Sequence, residues 1–337
     1  MRNVTHVVSG LLLAATLALT YPSLGHHSPA AFDGDAVVSV RGTVTRFDFR
    51  NPHVYIYMDS VDDAGNITAW EIESDWMTEL RRLGWSHDSL APGDQIIVQA
   101  HPARNPARHY MNLISLEKQD GTVLSSWDLS PEETPRVQQQ SSSIAGRWLP
   151  DRSFPRYFAL TADAANAAGL AAMASYVESE NPGAQCAPHP IPQRLGHPHV
   201  NDIEVLQDRV VITAETSGEP RIVYLDGRTV PTDAEPSDRG HSVGYWDEDV
   251  LVVETTNFAP HRKGNGQTIP SGPQKRLTER YGLNESGTQL TVEYVLEDPD
   301  YLSRPVAGRF EWQFAPHMEF NPFSCDPEVA RRYLRGE

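Results

Sequence analysis

The sequence predicts a mainly β, exported protein of two units: an OB-like small barrel, then a lipocalin-like antiparallel β-barrel with one helix. Three observations predict it. Short runs rich in β-branched and aromatic residues recur at hairpin spacing along most of the chain. A polar stretch at residues 125–143, with Pro131, Pro135 and the run Gln138-Gln139-Gln140-Ser141-Ser142-Ser143, separates two groups of such runs. An apolar stretch at residues 7–19 follows Arg2 and is too short to span a bilayer comfortably.

The leader comes first. Ser23-Leu24-Gly25 fits a small-x-small cleavage site, so residues 1–25 read as a signal peptide and His26-His27-Ser28 as the new N-terminus. A free α-amino group beside imidazoles places neutral nitrogen donors on one short tether, which suits a borderline ion such as Cu(II). A cut after Leu24 instead puts a histidine third, which also suits Cu(II) through backbone amides. A solvated N-terminal arm is the plain alternative. The chain of 337 residues carries a formal net charge of −17, and loss of Arg2 moves it one unit further negative. That balance argues against nucleic acid and anionic membrane surfaces as partners. No second apolar run approaches a membrane span, so the expected location is periplasmic or secreted.

Residues 26–124 form the first expected unit. Strands are read at 38–47, 53–58, 68–73, 95–100 and 110–117, with turns at Ala64-Gly65-Asn66 and Pro92-Gly93-Asp94. A short helix is read at 75–83, capped by Ser74 or Asp75, with Met77, Leu80 and Leu83 on one face. Five strands, a helix after the third and Gly42 at a strand bend match an OB-type barrel. His26, His27, His53, His101 and His109 all fall in this unit. Period two puts His53, Tyr55 and Tyr57 on one face and the better core set, Val54, Ile56 and Met58, on the other. A fold-back of the N-terminus would bring His26, His27 and His53 to one copper ion. The alternative is a structural His53, bonded to backbone where its strand begins.

After the linker, residues 144–337 form the second unit. Thr161 is expected to cap a helix running to about Tyr176. Residues 181–198 are proline-dense and irregular. Eight short strands follow, at 202–206, 209–215, 221–225, 242–246, 250–256, 274–283, 289–296 and 309–314, and a terminal helix is read at 327–335. An eight-strand meander can close into an up-and-down barrel with room for one small ligand, or remain a filled sandwich. Cys186 and Cys325 are the two cysteines and are expected to pair in an oxidising compartment.

Two polar sets in this unit carry candidate chemistry. His197 and His199, two apart, resemble a ligand pair with Asp202 or Glu204 nearby, but a solvated loop is the preferred reading. The second set comprises His241, Asp226, Glu254 and Arg280 as catalytic candidates, with Tyr224, Arg228, Trp246, Thr256, Glu293 and Asp298 as ligand-binding candidates. A histidine with a carboxylate and an arginine in a barrel can serve acid–base chemistry, and the same groups can instead form salt bridges or turn caps. Along residues 253–256 one alternate pair must point inward, and periodicity alone does not say which. No nucleophile elbow, phosphate loop, dinucleotide fingerprint or His-Glu-x-x-His occurs.

Several motifs point to known families. His26-His27-Ser28, the segment 40–51 followed by Pro52-His53, Leu90-Ala91-Pro92-Gly93-Asp94-Gln95 and Pro102-Ala103-Arg104-Asn105 resemble an exported bacterial family of unknown function, the DUF6152 type. Gly146-Arg147-Trp148, Tyr224-Leu225-Asp226-Gly227-Arg228, Gly240-His241-Ser242-Val243-Gly244, residues 251–258 and Glu297-Asp298-Pro299 resemble an uncharacterised β domain often found beside it. Glu254 stands where that domain would have Asp, and Asp247-Glu248-Asp249 where it would have Glu-Gly-Asp. The resemblance implies no activity. The functional expectation is a soluble protein that binds a small, largely apolar molecule in its second barrel, with a candidate copper site at its mature N-terminus. The alternatives are an enzyme of isomerase, cyclase or hydrolase type acting on such a molecule, and an interaction module of the cell envelope.

Overall fold

The computed structural model describes residues 31–51, 53–126, 139–151, 154–216, 218–231, 233–266, 268–323 and 325–331. The expected signal peptide, His26, His27 and most of the expected linker lie outside them. The fold is mainly β and holds two closed barrels, of five and nine strands.

The first barrel uses β1 (Val38–Asp48), β2 (Tyr55–Val61), β3 (Ile67–Glu73), β4 (Gln95–Pro102) and β5 (Tyr110–Lys118). Its strands run in the order β3-β2-β1-β4-β5, and a parallel β3–β5 pairing closes the ring; β6 (Val123–Ser125) adds to β5. Val54, Ile56 and Met58 fill the interior as the alternation required, together with Ile72, Val98 and Leu113. Gly42 lets β2 approach: a Cβ there would lie 2.7 Å from the Asp59 carbonyl oxygen. Helix α1 (Met77–Arg82) follows β3 and sends Met77 and Leu80 into this core. Neither Ser74 nor Asp75 caps it. Trp76 holds the cap position, while Ser74 Oγ bonds Ser126 Oγ at 2.9 Å.

The second barrel has nine strands where eight were expected. The missed strand is β7 (Gly146–Pro150), which pairs with both the first and the last of the eight. Those are β8 (Asn201–Val205), β9 (Arg209–Ala214), β10 (Arg221–Tyr224), β11 (His241–Asp247), β12 (Val250–Thr256), β13 (Arg276–Leu283), β14 (Gln289–Glu297) and β15 (Val306–Phe314). A closed ring with an odd number of strands cannot alternate direction throughout. Here the exception is β10–β11, which run parallel and share two register pairs, Val223 with Ser242 and Tyr224 with Val243.

The expected single helix is two. α2 (Phe154–Ala164) ends where Ala165 bridges to Leu302, and α3 (Ala167–Ala174) restarts under an Asn166 cap, Gly169 N donating to Asn166 Oδ1 at 3.0 Å. Thr161 therefore lies inside α2, where its hydroxyl bonds the Tyr157 and Phe158 carbonyls. At the C-terminus, α4 covers Pro327–Ala330. Trp148, Trp312, Phe310 and Tyr281 are fully buried in the barrel's core. Cys186 and Cys325 form the expected disulfide, bridging 139 positions.

The two barrels touch. Arg81 in α1 pairs with Glu319 at 2.9 Å, Asn51 Nδ2 donates to the Asn321 carbonyl at 2.8 Å, and Thr78 Oγ1 donates to Glu215 Oε2 at 2.9 Å. Among the described residues no helix is long and apolar enough to cross a membrane.

Candidate functional site

The densest chemistry lies at this junction. Its centre is Trp76, which ends the segment after β3 and projects toward the second barrel. His197 stacks on its ring at 5.5 Å between centroids, and His199 packs at 4.5 Å. His189 lies 4.3 Å from His197. On the first barrel's side, Trp76 Nε1 donates to His53 Nε2 at 3.3 Å.

His197 and His199 were expected on a solvated loop, and the structure corrects this: they are 3% and 1% exposed. The reason is the prolines of this segment, Pro182, Pro188, Pro190, Pro192 and Pro198. Proline carries no N–H, so an irregular stretch rich in it brings fewer donors that burial must satisfy. Phe323 then closes over His199 with ring centroids 4.8 Å apart, on the segment that the disulfide ties down.

Burial keeps these imidazoles neutral. It pushes His197 down to about 3, and holds His189 and His199 well below the usual histidine range, with neighbouring imidazoles adding to the effect. Neutral imidazole is the form that binds metals and accepts protons. Gln193 Nε2 lies 3.2 Å from His189 Nδ1 and 3.4 Å from His197 Nε2. His199 stands apart: neither of its ring nitrogens hydrogen-bonds within the protein, and Glu215 Oε2 is 4.0 Å from Nδ1. Leaving a buried polar group unmatched costs about 1–3 kcal/mol.

Glu215 is fully buried and accepts from Val200 N at 3.0 Å, Asn321 N at 2.7 Å and Thr78. Burial raises its pKa, against the lowering effect of these bonds. Behind His53 lies Glu73, 2% exposed, with its Oε1 3.4 Å from His53 Nδ1 and hydrogen bonds from Tyr55 and Tyr110. Burial, then Glu73, pushes the Tyr110 phenol well above its ordinary value.

The expected copper ligand His53 does lie off the Val54 face, as its alternation required, but it is 8% exposed and well occupied. Its Nδ1 lies 3.0 Å from the Ser74 carbonyl oxygen. The backbone-bonded alternative is therefore present in the geometry. Any ion at Nε2 must displace the 3.3 Å indole bond.

The expected barrel site splits in two. His241, Tyr224, Arg228 and Asp226 do meet: His241 stacks on Tyr224 at 5.4 Å, Arg228 lies 3.9 Å over the same ring, and Asp226 pairs with Arg228. That pairing holds Asp226 at about 2. Val253 and Thr255 point inward, which sends Glu254 and Thr256 to the outer face, where Thr256 is the register partner of His241. Arg280 pairs with Asp247 at 2.8 Å on the surface, Glu293 is exposed on β14, and Trp246 is 41% exposed. Asp298 is a buried loop clasp, accepting from Asn265 Nδ2 at 2.7 Å and Gly272 N at 3.0 Å. Arg280, bonded to Asp247 at the far end of β11, therefore lies away from His241, whereas Glu254 stands opposite Val243 on the same outer face.

The polar group inside this barrel went unread in the sequence. Arg221 is 3% exposed; its Nη1 donates to Glu279 Oε1 at 2.9 Å, its Nε to Ser242 Oγ at 2.9 Å and its Nη2 to Thr255 Oγ1 at 2.6 Å. Burial opposes its charge, but Glu279 more than offsets this and raises its pKa. The register pairs β10 with β9 and β13 with β14 could not reveal that Arg221 and Glu279 share an interior. Trp76, Glu73, His189, Gln193 and Glu215 also went unread, although the three histidines at 189, 197 and 199 were a usable signal.

No curated protein matches the chain. Residues 15–112, which include His53 and the Pro92-Gly93-Asp94 turn, match the model of DUF6152, a family of unknown function.

Proposed function

We propose that the mature chain is an exported copper-binding protein whose ion sits where the two barrels meet. The amine and imidazole of His26, with His27, supply donors on one short tether, and His53 and His199 supply imidazoles once the ion displaces the Trp76 indole from between them. The observation that carries this reading is His199: a fully buried neutral imidazole, with no hydrogen bond to either nitrogen, facing His53 of the first barrel across one indole. Imidazole nitrogens suit copper, and sites between domains are common places for ligands.

The tether starts beside a chain of contacts that leads to His53. Ala31 accepts from Arg104 N at 3.0 Å, and Phe32 packs on Tyr110 at 5.0 Å. Tyr110 bonds Glu73, and Glu73 borders His53. From His26 to Ala31 the chain reaches at most ~18 Å when extended. Among the described residues no three of His, Cys, Asp and Glu are grouped to hold a metal, so the proposed site depends on His26 and His27.

An apolar ligand inside the second barrel has less support, because Trp148, Trp312, Phe310, Tyr281 and the Arg221–Glu279 pair take up the interior described. The test is Cu(II) titration of the exported protein, its N-terminus verified as His26 by mass, beside a variant with one alanine before His26. One tightly bound ion per chain, weakened at least a hundredfold by the added residue, supports the reading. Equal, weak binding in both removes it.

A further inference from the structure

A cleft of about 150 Å³ opens beside the parallel β10–β11 pair. We infer that it binds a small oxyanion, a carboxylate or phosphoryl group, independently of the copper reading.

The cleft exists because β10 and β11 share only two register pairs and part beyond them. Gly240 turns the chain at that point with φ +66°, and a Cβ there would lie 2.6 Å from the Thr256 carbonyl oxygen. Six lining side chains set the chemistry: Arg221, Tyr224, Ser237, Arg239, His241 and Ser242. Two guanidiniums, two hydroxyls, an imidazole and a phenol can all donate hydrogen bonds. No carboxylate lines the cleft among the described residues, in a chain whose net charge is −17. The charges of Arg221 and Arg239 are balanced by Glu279 and Glu219 beyond the lining, so what the recess offers an anion is a set of converging donors rather than net charge.

The floor is preorganised. Arg221 is held by Ser242, Thr255 and Glu279 before any ligand arrives. The rim can adapt. Arg239 pairs with Glu219, whose side chain is 77% exposed and so exchanges readily for a ligand oxygen. His241 Nε2 is buried with no hydrogen bond within the protein, and its ring is fixed by stacking on Tyr224. The cleft is open to solvent on one side and admits several water-sized groups, enough for a small organic acid or a phosphate.

The test uses the full mature chain and three probes: inorganic phosphate, acetate and succinate. Calorimetry gives affinity, and the His241 Cε1–H chemical shift reports the place. Saturable binding that moves the His241 resonance, and that is at least tenfold weaker in Arg239→Gln and in His241→Ala but unchanged in the distant Arg309→Gln, supports the inference. Phosphate alone then assigns a phosphoryl ligand, and the carboxylates alone an organic acid. No saturable binding of any probe, or equal binding in all variants, overturns it. Arg221 is left intact because its removal would strand Glu279 in the core.

Discussion

Trp76 of the first barrel and His199 of the second lie with ring centroids 4.5 Å apart, and this contact joins two otherwise separate cores. The indole also donates to His53 and stacks on His197. One aromatic residue therefore sets the position of three imidazoles.

Replacing Trp76 with alanine should destabilise the chain by about 3–5 kcal/mol, the usual range for a buried tryptophan. Phenylalanine should keep the stacking and lose the bond to His53, at about 1 kcal/mol. Urea denaturation of the two variants checks the order. Equal losses would mean that the indole N–H dominates.

The buried histidines make the protein acid-sensitive. Unfolded, each takes up a proton as pH falls through about 6.5; folded, His197 does so only near 3. The stabilisation is full above 6.5 and is lost as pH falls toward 3, with up to about 1.4 kcal/mol per pH unit for each such group. His189 and His199 act in the same direction. Glu215, with its raised pKa, acts oppositely just above the ordinary carboxylate range. Three groups outweigh one, so the urea midpoint should drop between pH 6.5 and 5. His197→Phe should flatten that slope by about one proton.

Much of the fold was legible because strand alternation and turns are local signals. Val54, Ile56 and Met58 turned inward as read, and the Cys186–Cys325 pairing matches the expectation drawn from a count of two cysteines and the export reading. Strand β7 escaped because five residues, Gly146 to Pro150, offer little alternation, and its partners lie far along the chain. The histidine cluster escaped for another reason. Prolines mark a loop in sequence, and only the packing of Trp76 and Phe323 shows that this loop is buried.

Inside the second barrel, Glu279→Gln should cost about 3–5 kcal/mol, since it leaves the Arg221 charge buried and poorly paired. The double change Arg221→Met with Glu279→Leu should recover most of that loss. Denaturation midpoints of the single and double variants decide it; a double variant as unstable as the single would show that Ser242 and Thr255 need the guanidinium.

Removing the disulfide by Cys186→Ala with Cys325→Ala should lower stability by about 4–5 kcal/mol in the chain-entropy model, given a span of 139 positions. It should also loosen the segment bearing Asn321 and Phe323, which covers Glu215 and His199. Faster histidine modification by diethylpyrocarbonate in this variant, with the fold retained, is the expected sign. An unchanged modification rate would show that the cover holds without the bridge.

The most direct test of the copper account is pulsed EPR of the one-to-one Cu(II) complex, counting coupled imidazole nitrogens in the native chain and in His53→Ala and His199→Ala. The account predicts coupling to imidazoles that falls in number in both variants. A spectrum identical in all three proteins would contradict it, because the ion would then be held without the junction between the barrels.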